Sequence, residues 1–120
     1  MILRLWRGRI RTADRQAYAD YIGETGGADY RSTPGNLGFQ MLFRDLGDGR
    51  SEVTTLSWWR TLEDITAFAG ADIALARYYP EDDRFLLDRP REVEHHEVSA
   101  DSLFSPPSPA RRDDQRSGAT

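Results

Sequence analysis

The order of apolar segments and chain breakers constrains the fold of this chain more than any other feature. Residues with β-forming side chains at 2–10, 38–46, 52–59 and 91–98 predict four strands. Apolar residues at helical spacing over 12–27 and 61–70 predict two helices between them. The order strand, helix, strand, strand, helix, strand is the split βαβ arrangement. It predicts an α+β, ferredoxin-like fold with a four-stranded antiparallel sheet.

Two local signals fix the middle of this arrangement. Asp48-Gly49 between two strand segments is typical of a β-hairpin turn. Thr61 and Asp64 have the spacing of a capping box with Asp in place of Glu, so the second helix is expected to begin after Thr61.

Other signals bound the first helix and extend the second. Thr12 is the expected cap of the first helix, and Gly26-Gly27 its expected end. Residues 71–79 are expected to add one or two further helical turns. Pro80 biases Tyr79 away from helical geometry and suits the first position of a short new helix.

Both faces of the predicted sheet carry apolar side chains. Neighbouring residues of a strand point to opposite faces, so Trp58 and Trp59 cannot share one. In the second strand, likewise, Phe39, Met41 and Phe43 point to one face and Leu42 points to the other. Two helices cover only one face, and soluble monomers rarely leave a large apolar patch in water. We therefore expect a homodimer whose sheets pack face to face as a dimeric α/β barrel.

Composition narrows the class of function. Residues 1–98 are expected to form one domain, and residues 99–120, rich in proline and small or charged residues, a disordered tail. The net charge of −4 argues against a nucleic-acid partner. The absence of cysteine excludes disulfides and thiolate sites. With no long apolar run and no secretory signal, the sequence favours a cytoplasmic protein without a membrane partner.

The chain resembles the antibiotic biosynthesis monooxygenase-like proteins of the dimeric α/β-barrel superfamily. The resemblance spans about residues 1–98. It lies in the segments "MILRLWRGRI", "YRSTPGNLGFQMLFR", "LSWWRTLEDITAFAG", "ARYYPEDDRFLL" and "VEHHEV". It implies a small cavity between sheet and helices. It also implies bacterial secondary metabolism, in which an electron-rich aromatic compound is oxidised without flavin, haem or metal.

A haem-degrading branch of the superfamily has an Asn on the first strand, a Trp near the third strand and a haem-ligating His on the second helix. This sequence has no Asn in 2–10 and no His between 61 and 79, and only the Trp has a counterpart. The resemblance therefore implies an oxidoreductase that needs no cofactor and no metal, rather than a haem degrader.

The candidate site residues follow from residue type and resemblance. His95 lies in the closing motif and is the expected proton acceptor, and Arg44 is expected to stabilise an oxyanion. A planar substrate is expected to contact four aromatic residues: Trp6, Tyr21, Trp58 and Tyr78. Each of these six residues could instead have a purely structural role. The alternative function is a dimeric protein that binds a small hydrophobic ligand without catalysis.

Overall fold

The computed structural model describes residues 1–103, and its architecture is the predicted ferredoxin-like α+β fold. The strands pair antiparallel in the order β2-β3-β1-β4. They are β1 (Ile2–Arg11), β2 (Asn36–Gly47), β3 (Arg50–Trp59) and β4 (Glu94–Glu97). The α-helices are α1 (Arg15–Glu24), α2 (Gly26–Ser32) and α3 (Leu62–Ala69), and short 3-10 turns occupy Thr12–Asp14 and Asp82–Arg84. Seventeen residues of the predicted disordered tail, 104–120, lie outside the described part.

The two strongest local signals are confirmed. Asp48 and Gly49 both have positive φ, 53° and 74°, as the hairpin turn between β2 and β3 requires. The Thr61 hydroxyl accepts the backbone N–H of Asp64 at 3.2 Å, so Thr61 caps α3.

The predicted bounds of the first helix are wrong at both ends. Thr12 caps no helix, and its hydroxyl instead bonds the Ser51 hydroxyl at 2.8 Å. The helix is interrupted at Thr25, and the chain then continues as α2. Gly26 and Gly27 therefore begin α2 rather than follow the end of the first helix. A Cβ on Gly27 would lie 3.2 Å from the ring of Phe39, so glycine allows α2 to approach the sheet closely.

The predicted helical extension over 71–79 is also wrong, because this segment is irregular. The carbonyls of Ile73 and Leu75 accept hydrogen bonds from the Arg4 guanidinium, at 2.6 and 3.0 Å. Leu75 forms an isolated β-bridge with Glu92 as well. Long-range partners thus replace the bonds that a helix would make.

The helices and the irregular segment 70–93 cover the inner face of the sheet. Two core clusters form there. One contains Ile10, Tyr18, Ile22, Val53 and Phe85, and the other contains Tyr30, Trp59, Ile65 and Phe68. Between them, the inner face presents polar residues of β1 and β3, namely Arg4, Thr55 and Ser57.

The outer face also carries apolar side chains, as predicted, beside charged ones such as Arg7, Arg44 and Glu52. The register places Leu3 opposite Trp58 and Leu5 opposite Leu56 on this face. The side chain of Leu42 is 46% exposed. In residues 1–103, no helix is both long enough and apolar enough to cross a membrane.

Candidate functional site

A cavity lies between the two core clusters, where the inner face turns polar. Its volume is about 50 Å³. Its walls come from β1, β3, α1, α2, α3 and the segment 70–93. Among its lining residues are Arg4, Trp6, Tyr18, Tyr30, Thr55, Phe68, Arg77, Tyr78, Tyr79, Asp82 and Val93.

Arg4 places a buried cation in this cavity. Alternation along β1 directs its side chain to the inner face with Trp6, and the residue is only 3% exposed. Within residues 1–103, no carboxylate oxygen comes within 4.0 Å of its guanidinium. Its partners are instead two backbone carbonyls and His95. Burial lowers the pKa of this guanidinium from its usual value.

His95 lies behind Arg4 and does not line the cavity. Its Nε2 atom accepts a hydrogen bond from Arg4 Nη1 at 3.0 Å. Burial lowers the pKa of His95, and the adjacent Arg4 charge lowers it further. The ring is therefore neutral in this contact, with its proton on Nδ1. His96 points to the other face of β4, where it contacts Glu94 at 3.0 Å.

Trp6 and Tyr78 form an aromatic wall. A Cβ on Gly8 would lie 2.5 Å from Trp6 Cη2, so the indole lies flat over the place where Gly8 has no side chain. Trp6 Nε1 donates to the Tyr78 hydroxyl at 3.1 Å, and this hydroxyl donates in turn to the Pro90 carbonyl. The two rings meet edge to face with centroids 6.2 Å apart.

Asp82 is the one carboxylate among the residues lining this cavity. It is 2% exposed, accepts the backbone N–H of Tyr79 at 2.6 Å, and accepts the Tyr18 hydroxyl at 3.4 Å. Burial raises the pKa of Asp82 above its ordinary value, and burial together with the Asp82 charge raises the pKa of Tyr18. A buried carboxylate of raised pKa is a candidate proton acceptor.

A cluster of side chains closes the cavity on the side of the segment 70–93. The Asp29 carboxylate of α2 accepts the Tyr79 hydroxyl at 2.6 Å and pairs with Arg77 at 2.9 Å. Arg77 also donates to the Phe68 carbonyl at 2.7 Å, and its guanidinium lies over the Tyr79 ring. We call Asp29, Arg77 and Tyr79 the latch, because they tie this segment to α2 and α3.

Four of the six predicted site residues line no part of the cavity: His95, described above, and Arg44, Trp58 and Tyr21. Arg44 is exposed on the outer face, opposite Glu52 of β3. Trp58 belongs to the outer face as well. The hydroxyl of Tyr21 accepts the Glu81 backbone N–H at 2.9 Å, and its ring packs on the core. The cations that line the cavity are therefore Arg4 and Arg77 rather than Arg44, and of these two Arg77 is paired with Asp29.

Sequence reasoning missed Arg4 and Asp82. The alternation of β1 contained a usable signal for Arg4, since it places this residue on the same face as Trp6 and Ile10. Asp82 gave no signal, because it stands among the acids Glu81 and Asp83, both of which are exposed. In residues 1–103, no three His, Asp or Glu side chains form a group that could hold a metal ion.

The fold defines a class, the ferredoxin-like α+β proteins. Among solved structures, the chain is similar to the heme-degrader MhuD from Mycobacterium tuberculosis with two hemes bound in its active site. The identity is 20%, the TM-score is 0.54, and the match covers 85% of this chain and 99% of that one. An arginine-to-serine variant of MhuD, with two manganese protoporphyrin IX molecules per active site, matches at 20% identity and a TM-score of 0.52, over 85% and 98% of the two chains. No protein-family model and no curated protein sequence matches.

Proposed function

We propose that this chain is a monooxygenase-like enzyme that oxidises a small aromatic compound with an acidic hydroxyl, without a bound cofactor. The observation that carries the proposal is the cavity, which combines an aromatic wall with a buried carboxylate. Trp6 and Tyr78 offer ring surfaces to a planar molecule, and Asp82 offers a proton acceptor. The fold shared with the heme-degrader MhuD supports this class of chemistry.

In the proposed reaction, the substrate hydroxyl transfers its proton to Asp82 and becomes an electron-rich anion. This anion reduces dioxygen directly. The hydroxyl is the enol form of a CH₂ ketone, and the carbon that is CH₂ in the ketone form bonds to O₂. One oxygen atom stays on this carbon as a carbonyl, and the other leaves as water with the remaining hydrogen of that carbon and the proton returned by Asp82, so the substrate supplies four electrons. The protein contributes orientation and exclusion of water, which favour proton transfer and strengthen charge interactions.

The cavity must enlarge before such a substrate binds. Its volume of about 50 Å³ is well below the roughly 300–1,000 Å³ of pockets that bury drug-sized ligands. The segment 70–93 is the part of the cavity wall that forms no regular helix or strand over most of its length. We propose that this segment moves outward, with release of the latch, when the substrate enters.

Oxygen uptake by metal-free protein with anthrone-type substrates tests the enzymatic proposal. Asp82→Asn is expected to lower the rate by roughly 10²-fold or more, because the proton acceptor is lost. Asp83→Asn is the control, since Asp83 is exposed and lies outside the cavity lining. Equal rates for the two variants would remove Asp82 from the mechanism. Saturable binding of the aromatic compound without oxygen uptake would favour the non-catalytic alternative.

Haem binding is a second candidate, favoured by the similarity to MhuD. The residues of this chain do not fit it. Strand β1 contains no Asn, and helix α3 contains no His. His95 is bonded to Arg4 and does not line the cavity. Titration with haemin is therefore expected to give no saturable Soret band. A stoichiometric complex that is lost in His95→Ala or His96→Ala would replace the first candidate with the second.

We further propose that the outer face forms a homodimer, in which a second copy of the chain covers it. The face carries Leu3, Leu5, Leu56 and Trp58 in one contiguous patch, and Leu42 is largely exposed beside it. Burying such a patch is favourable by roughly 25 cal/mol per Å² of apolar surface. A two-fold axis lets both copies use the same face.

A further inference from the structure

The Arg4 guanidinium has hydrogen-bond donors left over. A guanidinium carries five N–H groups. Both N–H groups of Nη1 are used, by the Ile73 carbonyl and His95, and one of Nη2 is used by the Leu75 carbonyl. Within residues 1–103, this leaves Nε–H and the second N–H of Nη2. These donors lie on neighbouring nitrogens, at the spacing that a carboxylate accepts as a fork.

The charge of Arg4 is also uncompensated at close range. Its three hydrogen-bond partners are neutral, since two are carbonyls and the third is the neutral ring of His95, and the Phe68 ring centroid 5.8 Å from its Cζ adds no negative charge. Asp82 lies more than 4.0 Å from it and is bonded to Tyr18 and Tyr79. A buried charge without an ion-pair partner costs several kcal/mol. An anion bound in the cavity would offset this cost.

The empty space beside Arg4 fits a carboxylate. A water molecule needs about 10–15 Å³ of such volume, so a cavity of about 50 Å³ has room for about four atoms of that size. Acetate has four heavy atoms. We therefore expect the cavity to admit a group as small as a carboxylate, whereas an attached ring requires the latch to release.

We infer that Arg4 forms a carboxylate-binding subsite, so that the natural ligand of the cavity is an aromatic carboxylic acid. The inference deepens the proposed function and rests on it for the aromatic part. Arg4 binds the acid group through its two remaining donors. The ring extends along Trp6 and Tyr78, where the proposed substrate hydroxyl meets Asp82.

Acetate and acetamide are the probes, because they have the same shape and differ in charge. NMR titration of the full-length ¹⁵N-labelled protein follows the Trp6 indole and Arg4 Nε–H signals at constant ionic strength. Sodium gluconate keeps the ionic strength constant, because its anion is too large to enter the cavity and compete with acetate. Acetate is expected to shift both signals saturably, and acetamide to bind at least about tenfold more weakly.

Variants locate the subsite. Arg4→Met is expected to abolish the preference for acetate, and Arg7→Met to retain it, because Arg7 is exposed on the outer face of the same strand. Equal binding of the two probes, no saturable binding of acetate, or a preference that survives Arg4→Met would overturn the inference. If Arg4→Met fails to fold, the wild-type comparison decides alone.

The inference and the proposed function can fail separately. Acetate binding at Arg4 without oxygen uptake for any aromatic acid would leave the subsite and remove the enzyme. Oxygen uptake with an aromatic acid that is unchanged in Arg4→Met would leave the enzyme and remove the subsite.

Discussion

Arg4 and His95 form one hydrogen-bonded unit across β1 and β4, with Arg4 Nη1 donating to His95 Nε2 at 3.0 Å. A histidine was expected to take a proton from the substrate. The contact makes this role unavailable to His95, because its Nε2 lone pair already accepts a hydrogen bond from the Arg4 guanidinium, which is always charged. His95 is bonded to the guanidinium, and Asp82 is the carboxylate that lines the cavity and that we propose as the proton acceptor.

The first prediction concerns pH. The pKa of His95 is lowered below its ordinary value of 6.5, so the unfolded chain binds the proton more tightly than the folded chain. The stability present at neutral pH is therefore lost as pH falls from about 6.5 through the lowered pKa. Chemical denaturation at a series of pH values is expected to show a shallower loss in His95→Gln, whose side chain can accept from Arg4 without titrating.

His96→Gln serves as the control, since His96 is exposed on the opposite face of β4, where it contacts the exposed Glu94. Its stability is expected to follow the wild-type pH dependence. Identical curves for His95→Gln and the wild type would show that the contact with Arg4 does not govern the titration.

The second prediction concerns Gly8. In Gly8→Ala, the new Cβ would lie 2.5 Å from Trp6 Cη2, so the indole must move and its bond to Tyr78 must break. We expect a changed Trp6 indole N–H resonance and loss of aromatic ligand binding. Gly23→Ala is the matched control, because nothing lies within 4 Å of its new Cβ. Unchanged ligand affinity in Gly8→Ala would mean that Trp6 is not part of the binding wall.

The third prediction concerns the latch. Asp29→Asn removes the ion pair with Arg77 and weakens the bond with Tyr79. Because Arg77 and Asp29 are about one-third exposed, the expected loss in unfolding free energy is only about 1 kcal/mol. Aromatic ligands are expected to associate faster, as measured by stopped-flow tryptophan fluorescence. Asp20→Asn on α1 is the control, and the same association rate in both variants would rule out the latch as the barrier.

The fourth prediction concerns the outer face. Sedimentation equilibrium is expected to give a dimer at micromolar concentration for the wild type. Leu42→Glu is expected to give a folded monomer, because it places a charge in the apolar patch. Leu62→Glu on α3 has a similarly exposed site away from the sheet and is expected to remain dimeric. A wild-type protein that sediments as a stable single subunit would contradict the dimer.

What the sequence predicted well depends on short-range physics. The positive φ angles at Asp48 and Gly49 and the cap at Thr61 require only neighbours in the chain, and both were predictable. The apolar outer face followed from alternation along the strands. These features together were sufficient to predict the ferredoxin-like order of elements.

The site depends on long-range contacts and was therefore less accessible to prediction. Residues 71–79 have a helical pattern, but Arg4 binds two of their carbonyls from a strand about 70 residues earlier. Arg44 and Arg4 are equivalent as residue types, and only the register separates an exposed arginine from a buried one. Asp82 became distinctive only through burial against Tyr18.

The most direct test of a ligand site in this cavity is a crystal structure of the protein with 2-naphthoate, an aromatic acid that lacks an oxidisable hydroxyl. The account predicts the carboxylate on Arg4, the ring against Trp6 and Tyr78, and the segment 70–93 displaced with the latch open. An empty cavity at saturating naphthoate, with Asp29 still bonded to Tyr79, would contradict it.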